Sequence, residues 1–495
     1  MGLKVKGMFK LVGMLTLVGG ALGWGLGCGK IPEVSVRIED PAPDGTATPL
    51  APQAPTGSGT GIQSPDRPAT PMCGNQRVQW RVVCDGDSKP CAELDPQWNS
   101  GQASCKGDCT GYDLTPCSVK FQYAIVVEPG LLARIRPALE QHVADLLAKD
   151  KLSAKIVEWT GKNHVDLRSL LQGFYKSSGL EGALLVGNLP AAWFYLTSNK
   201  DFPSDLFFME MDGEWKDTNA DSIYDVHPPM NIDLYVSRIM GTADEIQRYF
   251  EKNHAYRQTG STVQKRYFLF VDDDWLDCCG PYAANLPLPA YSDIARFADR
   301  ASTTKDSWIR VLTEGAEYSW GWIHGWETGM DFMHNGSPQR FTLDEMKALD
   351  LKSVFWHLRN CHIARFTQTN IAMYVIHTPY GMVSTGSTLS GAMEDSRVFH
   401  ESLSAGKTWG QAFIDWYNQV GKTNDDWNLG QVMMGDPTLR LSRTLSQSLY
   451  QAAKDFPPVS KEASDQALQA MQADGRAHPP KTFADYQREN PQFFQ

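Results

Sequence analysis

The chain has 495 residues, 42% hydrophobic and 21% charged, with a mean hydropathy of −0.36; these values exclude a wholly disordered chain and a polytopic membrane protein. Lys and Arg number 46 against 57 Asp and Glu, a formal net charge of −11. With that acidic balance and no basic run interleaved with aromatics, nucleic acid is excluded as a partner, because phosphate contacts need clustered Lys and Arg.

At the N-terminus, Lys4, Lys6 and Lys10 precede an apolar stretch from Leu11 to Leu26. A charged start, a short apolar core and small residues read as a secretory signal over residues 1–28. The stretch ends at Cys28 and resembles the lipobox of bacterial lipoproteins, whose cysteine is lipidated and becomes the mature N-terminus. Gly25 stands where that pattern usually has leucine, and the other reading is a cleaved signal with an incidental cysteine. Either way the protein is exported. The first reading also tethers it to a membrane through Cys28, at the cell surface or in the periplasm. Residues 29–72 follow as a linker: Pro41 to Pro71 holds eight Pro and four Gly in 31 residues, too few large apolar side chains to offset ordering entropy.

Six of the ten cysteines, Cys73, Cys84, Cys91, Cys105, Cys109 and Cys117, crowd into residues 73–118. In an exported chain this density predicts a small disulfide-stapled module of undetermined connectivity. Zinc is the alternative, but the segment has neither paired CxxC knuckles nor a histidine. If Cys28 carries lipid, nine cysteines remain and at least one cannot pair within the chain. Cys361 is free if the bridge of the second half involves only Cys278 and Cys279; it can instead bridge to either.

From residue 119 the pattern becomes α/β. "FQYAIVVE" reads as a strand, "GLLARIRPALEQHVADLLAKD" as a helix, "AKIVEW" as a strand, "LRSLLQGFYKSSG" as a helix and "GALLVGN" as a strand. The alternation resumes with the strand "RYFLFVDDDW", a helix around "YSDIARFADR", and strands at "SWGWIHG", "KSVFWHLRNC" and "GMVSTGS". A mostly parallel sheet flanked by helices is the expected architecture. It divides into units at 119–260 and 261–445, forming one large domain or two side by side. The polar tail, 446–495, contains one helical stretch at "SKEASDQALQAMQ" and is peripheral.

Reactive groups in open parallel sheets sit at the carboxyl edges of strands. One strand ends in His324-Gly325 and another in Cys361, with "TLDEMKALD" between them reading as a helix capped by Thr342. Adjacent parallel strands would bring imidazole and thiol to one edge. That pair supports acyl transfer: imidazole takes the thiol proton and returns it to the leaving amine, while the Gly325 and Cys361 N–H groups face the oxyanion. Set against this, a lone His-Gly is common and a lone cysteine at a strand end is usually core or disulfide. His357 and His362 flank Cys361, but such short spacings do not let either imidazole reach the sulfur in line with a substrate.

These segments resemble the gingipain-like cysteine peptidases of caspase-type fold over most of residues 119–445. The resemblance is carried in order by "GALLVGNLPAAWF", "MDGEWKDTNADSIYD", "NIDLYVSRIMGTADEI", "FLFVDDDW", "HG", "NCHIARFTQTN", "GMVSTGSTLSGAM" and "QVMMGDPTLRL". It implies a cysteine endopeptidase acting on protein or peptide substrates, with Cys361 as nucleophile, His324 as acid/base and the Gly325 backbone in the oxyanion hole, and no catalytic cofactor. Ile323 and Ala364 stand where the family often has glycine. Arg or Lys selectivity does not carry over; Glu394 and Asp395 are candidates for a pocket taking a basic side chain. The competing class is an inactive surface binding or adhesion lipoprotein on the same fold, and a sortase-like transpeptidase ranks below both.

Two acidic groups complete the inventory. Asp217, Asn219, Asp221 and Asp225 occupy positions 1, 3, 5 and 9 of a loop whose spacing resembles the first part of an EF-hand, which predicts a structural Ca²⁺ site. Ser222 replaces the usual glycine, Pro228 stands where a bidentate Glu is expected, and the alternative is a solvated acidic turn. Asp272, Asp273 and Asp274 end a strand with diverging side chains, a poor metal site but one in which a carboxylate can orient a neighbouring loop.

Overall fold

The computed structural model describes residues 83–95, 100–117, 120–276, 290–441, 483–489 and 491. The signal with Cys28, the linker, Cys73, the Cys278–Cys279 pair and the helical stretch of the tail lie outside the described residues. Among the described residues no helix is long and apolar enough to cross a membrane.

The cysteine-rich segment is a three-stranded antiparallel sheet, β1 (Ser88–Pro90), β2 (Gln102–Cys105) and β3 (Tyr112–Asp113). Cys84 bonds to Cys105 and Cys91 to Cys117, and Cys109 is also disulfide-bonded. Its own core is little more than Cys91, Ala103 and Cys117. So small an apolar interior cannot hold a fold by burial alone, and covalent links restrict the unfolded chain instead.

The main body is built on one ten-stranded sheet in the order β11-β10-β12-β16-β17-β18-β9-β6-β4-β5. Its strands are β4 (Tyr123–Val127), β5 (Ala154–Glu158), β6 (Gly182–Val186), β9 (Tyr235–Ile239), β10 (Arg266–Val271), β11 (Asp293–Phe297), β12 (Ala316–Trp322), β16 (Ser353–Arg359), β17 (Val383–Ser387) and β18 (Gln431–Gly435). A hairpin, β7 (Trp193–Leu196) and β8 (Lys200–Pro203), lies outside it. Every residue of β4, β6, β9, β12, β16, β17 and β18 is buried, as expected for strands covered on both faces. All neighbours pair in parallel except β17 with β18. That one antiparallel seam makes the two five-stranded halves run in opposite directions, so their carboxyl edges lie on opposite rims.

The flanking helices are α1 (Leu132–Asp145), α2 (His164–Ser178), α3 (Ala243–Thr259), α4 (Lys305–Glu314), α5 (Leu343–Lys347), α6 (Ile371–His377), α7 (Arg397–Ser404) and α8 (Trp409–Gln419). Their starts are written in side chains. Thr242 with Glu245, Thr342 with Glu345 and Thr408 with Gln411 form reciprocal capping boxes, each satisfying N–H groups that the helix cannot. The two halves are tied by Arg238, which meets Asp205 at 2.8 Å and stacks its guanidinium 4.2 Å from the Phe366 ring.

Two expectations are corrected. The segment around "YSDIARFADR" is not a helix but the edge strand β11, paired in parallel with β10 from Asp293 opposite Arg266 to Phe297 opposite Phe270. Ile294, Phe297 and Ala298 mimic helical spacing, but pairing with β10, which no local pattern reports, decides the conformation. Between the strand of His324 and the strand of Cys361 there is more than a helix. A three-stranded antiparallel meander intervenes, β13 (His324–Trp326), β14 (Gly329–His334) and β15 (Ser337–Thr342). The signal was present in the sequence: Asn335-Gly336, with φ of 51° and 75°, is the pair a tight hairpin turn demands.

Candidate active site

β12 and β16 are adjacent and parallel, and their last paired residues are Trp322 and Arg359. Two residues beyond each come His324 and Cys361, so the two positions singled out by chemistry share a level on one sheet rim. The chains are still side by side in the gap: the Asn360 Nδ2–H donates to the Ile323 carbonyl at 2.8 Å. A second tie lies further out, where the Arg365 guanidinium reaches the Glu327 carboxylate at 3.4 Å. The Ile371 N–H donates to the Glu327 carbonyl at 2.8 Å. The turn after His324 is thus fastened to the segment after Cys361.

Cys361 takes part in no disulfide among the described residues and is 3% exposed, in the turn after β16. The next residue, His362, sits in the left-handed region at φ 54°, a conformation that costs energy for a side chain with a Cβ. It is held there by its own ring: Nε2 lies 2.7 Å from Ser390 Oγ, and its N–H donates to the Leu389 carbonyl at 3.0 Å. His362 is therefore engaged with the loop after β17. Three residues after Cys361, Ala364 packs onto bare Gly386, where an added Cβ would come within 3.0 Å of the Ala364 methyl.

His324 is 8% exposed. Its Nε2 lies 3.2 Å from Asp274 Oδ2, and its ring rests 4.7 Å from that of Trp275, which stacks in turn on Trp322. His357 is elsewhere, sharing the Tyr318 hydroxyl with His400 at 3.1 and 2.9 Å; burial pushes its pKa well below the ordinary histidine value. Of the three consecutive aspartates, Asp272 accepts the Met333 N–H at 2.9 Å and so holds β14. Burial pushes its carboxyl up to about 8. Asp273 accepts from the Thr303 hydroxyl. Asp274 as the partner of His324 was not identified from sequence, because 50 residues and several elements separate them.

Gly325 is placed by its lack of a side chain: an added Cβ would lie 2.9 Å from the Asn360 Cβ. In the β13–β14 hairpin, Trp326 and Gly329 flank a two-residue turn and Gly325 faces Met330. Closing pairs of such turns exchange hydrogen bonds and the next pair does not, so the Gly325 N–H points away from its hairpin partner.

The acidic loop is well away from this rim in sequence and consumes much of its own bonding capacity. Asp217 Oδ1 and Asn219 Oδ1 both accept the Asp221 N–H, each at 3.2 Å, and Asp217 Oδ2 accepts the Ser222 N–H at 2.8 Å. Asp225 is turned toward the N–H and hydroxyl of Thr218. The Asp221 carboxylate in turn accepts from Asn219 Nδ2 and the Ile223 N–H, each at 2.9 Å, so the first three residues bond among themselves and the fourth faces Thr218. Ser222, where the EF-hand pattern prefers glycine, has φ of 72°. Of the two acidic residues in the segment after β17, Asp395 is gripped by Arg397 at 2.8 and 2.6 Å, and Glu394 accepts from Asn428 at 3.3 Å.

A rim bearing a buried cysteine outside any disulfide, a carboxylate-linked imidazole one strand away and a glycine N–H turned outward is equipped for acyl transfer. No curated protein and no solved structure matches the chain. The model of peptidase family C25 matches residues 120–442, which take in the whole ten-stranded sheet and exclude the disulfide module. The chain belongs to peptidase family C25, the gingipain family of cysteine peptidases.

Proposed function

We propose that the protein is an exported cysteine endopeptidase in which Cys361 and His324 form the catalytic dyad. The register of β12 against β16 supports this reading, because the ladder ends with Trp322 beside Arg359, two residues short of His324 on one chain and of Cys361 on the other, and neighbouring strands are only ~4.8 Å apart where they pair. An unperturbed thiol, pKa ~8.5, is mostly protonated at neutral pH, and imidazole, pKa ~6.5, is the side chain suited to remove its proton. With Nε2–H donated to Asp274, Nδ1 holds the lone pair for that task. The Cys361 sulfur then attacks the scissile carbonyl carbon, and the carbonyl electron pair moves onto oxygen, where the Gly325 and Cys361 N–H groups stabilise it. Collapse breaks the C–N bond as the imidazolium protonates the leaving amine. Water, deprotonated by the same imidazole, hydrolyses the thioester and restores the thiol.

Cys28 as a lipid anchor, with the proline-rich linker holding the peptidase away from a membrane, belongs to the same proposal, as does structural Ca²⁺ on the Asp217–Asp225 loop. Labelling intact protein with an iodoacetamide probe, with and without His324→Ala, tests the dyad. Rapid labelling at Cys361 that depends on His324, together with peptide hydrolysis lost in Cys361→Ala, is the expected result. A thiol indifferent to His324 and a protein without hydrolytic activity would leave a binding or adhesion lipoprotein built on the peptidase fold.

A further inference from the structure

Asn360 stands between the two halves of the proposed dyad in a position that packing alone does not explain. It is fully buried, yet its Oδ1 has no hydrogen-bond partner among the described residues. A buried acceptor left unsatisfied costs stability, so an apolar residue would serve a purely structural position better. Its Nδ2, by contrast, is committed to the Ile323 carbonyl at 2.8 Å. The β12–β16 ladder ends with Trp322 opposite Arg359; beyond it the chain of His324 turns into the β13–β14 hairpin and the chain of Cys361 into a tight turn. The Asn360 amide cross-links the two chains at the level where the ladder stops, one residue before both His324 and Cys361. Its side chain also abuts the bare α-carbon of Gly325, at 2.9 Å from an added Cβ.

We infer that Asn360 is a positioning residue for the acyl-transfer site: its amide extends the strand pairing by one side-chain hydrogen bond, fixing the distance between the imidazole and the thiol and the outward aim of the Gly325 N–H. The inference rests on the dyad proposed above. It also accounts for Ile323 standing where the family often has glycine, since the contact uses the Ile323 carbonyl and is indifferent to that residue's side chain. Asn360 touches neither substrate nor the transferred proton, so its effect is on geometry and falls on turnover more than on substrate binding.

The test uses Asn360→Ala and Asn360→Asp in the full chain, beside wild type and His324→Ala, reading kcat, KM, melting temperature and the rate of Cys361 alkylation against pH. Asn360→Ala should lower kcat at least about 10-fold with KM within about 3-fold, and its alkylation profile should move toward that of His324→Ala. Asn360→Asp keeps the volume if truncation unfolds the chain. Its carboxyl can donate to the Ile323 carbonyl only when protonated, so its kcat relative to wild type should fall as pH rises. A wild-type thiol that responds to His324 while both Asn360 variants keep wild-type kcat and alkylation profiles overturns the positioning role alone. A wild-type thiol indifferent to His324 removes the dyad and this role with it.

Discussion

His324 Nε2 and Asp274 Oδ2 lie 3.2 Å apart, joining the strand end of β12 to that of its neighbour β10 across 50 residues of chain. The aspartate side chain is 37% exposed while the imidazole is 9% exposed, so the pair sits at the mouth of the rim, with the ring inward. A carboxylate there selects the tautomer that leaves Nδ1 unprotonated and holds the ring plane. Asp274→Asn should therefore lower kcat at least about 10-fold with KM nearly unchanged. Steady-state kinetics on a peptide substrate, with circular dichroism as a check on folding, decide the matter. Undiminished kcat would reduce the contact to a surface ion pair.

The backbone contact at Gly325 makes a separate demand. A methyl group there would stand 2.9 Å from the Asn360 Cβ and 3.2 Å from its Nδ2, inside ordinary packing distance of a fully buried residue. Gly325→Ala should push the β13 strand away from the Cys361 turn and misdirect its N–H. Removing one oxyanion donor costs about 10²- to 10³-fold in kcat, and misdirection should approach that range while alkylation of Cys361 by a small iodoacetamide persists. Equal losses of hydrolysis and alkylation would instead mean that the whole rim had collapsed.

Much of this arrangement was legible because the decisive residues advertise themselves locally. The runs "GALLVGN" and "KSVFWHLRNC" are too apolar to be anything but strands buried on both faces, and Thr342 with Glu345 announces the helix α5 before any tertiary contact is known. What escaped was non-local. β11 carries Ile294 exposed and Phe297 half-buried at a sheet edge, so its pattern is weak and its conformation is set by β10. Asp274 gave only the sign of an acidic strand end, and nothing in its neighbourhood distinguishes it from Asp272, whose oxygens go to the Met333 N–H. Pairing between distant strands selects one carboxylate for the histidine and its neighbour-but-one for a hairpin.

The Asp217–Asp225 loop yields a prediction independent of catalysis. Asp217 Oδ1 and Asn219 Oδ1 converge on the Asp221 N–H, and the Asp221 carboxylate accepts from Asn219 Nδ2 and the Ile223 N–H, an arrangement that hard cations can enter by adding water and backbone carbonyls. Millimolar Ca²⁺ should raise the melting temperature after chelator treatment, with a tenfold excess over Kd contributing about 1.4 kcal/mol. Asp217→Ala should abolish the rise. Identical melting curves in Ca²⁺ and chelator would make the segment a turn held by its own hydrogen bonds.

The "GDPTL" segment proves to be a structural lock. Asp436 is fully buried and accepts from Asn253 at 2.8 Å, from Arg257 at 2.6 Å and from the Thr438 N–H at 2.9 Å. Burial alone would raise its pKa, but Arg257 and the Thr438 hydroxyl hold the carboxyl well below the usual carboxylate range. Asp436→Ala removes one of the two counter-ions of the Arg257 guanidinium, 4% exposed, leaving Asp150, and strips Asn253 and Thr438 of their acceptor, a loss of about 3 kcal/mol, the low end for breaking a buried pair. Urea unfolding should show that loss with activity per folded molecule retained. A loss below about 1 kcal/mol would fit only a solvent-screened surface pair.

Beside the same lock, His142 sets a pH limit on stability. Its ring is 2% exposed, packs 5.1 Å from Phe250, and has Nε2 3.8 Å from Asp436 Oδ2. Burial outweighs the attraction of that carboxylate and lowers the imidazole from 6.5 to about 4. Above pH 6.5 neither folded nor unfolded chain is protonated there. Between 6.5 and about 4 the unfolded chain takes up a proton that the native ring refuses, so the native state loses stability as pH falls through that window. The loss totals on the order of 3 kcal/mol from this one group, at 1.36 kcal/mol per unit. Unfolding free energies measured from pH 7 to pH 4 should show a slope that flattens in His142→Gln. If both proteins lose stability equally across the window, the acid sensitivity belongs to other groups and the buried ring is protonated as readily when folded as when unfolded.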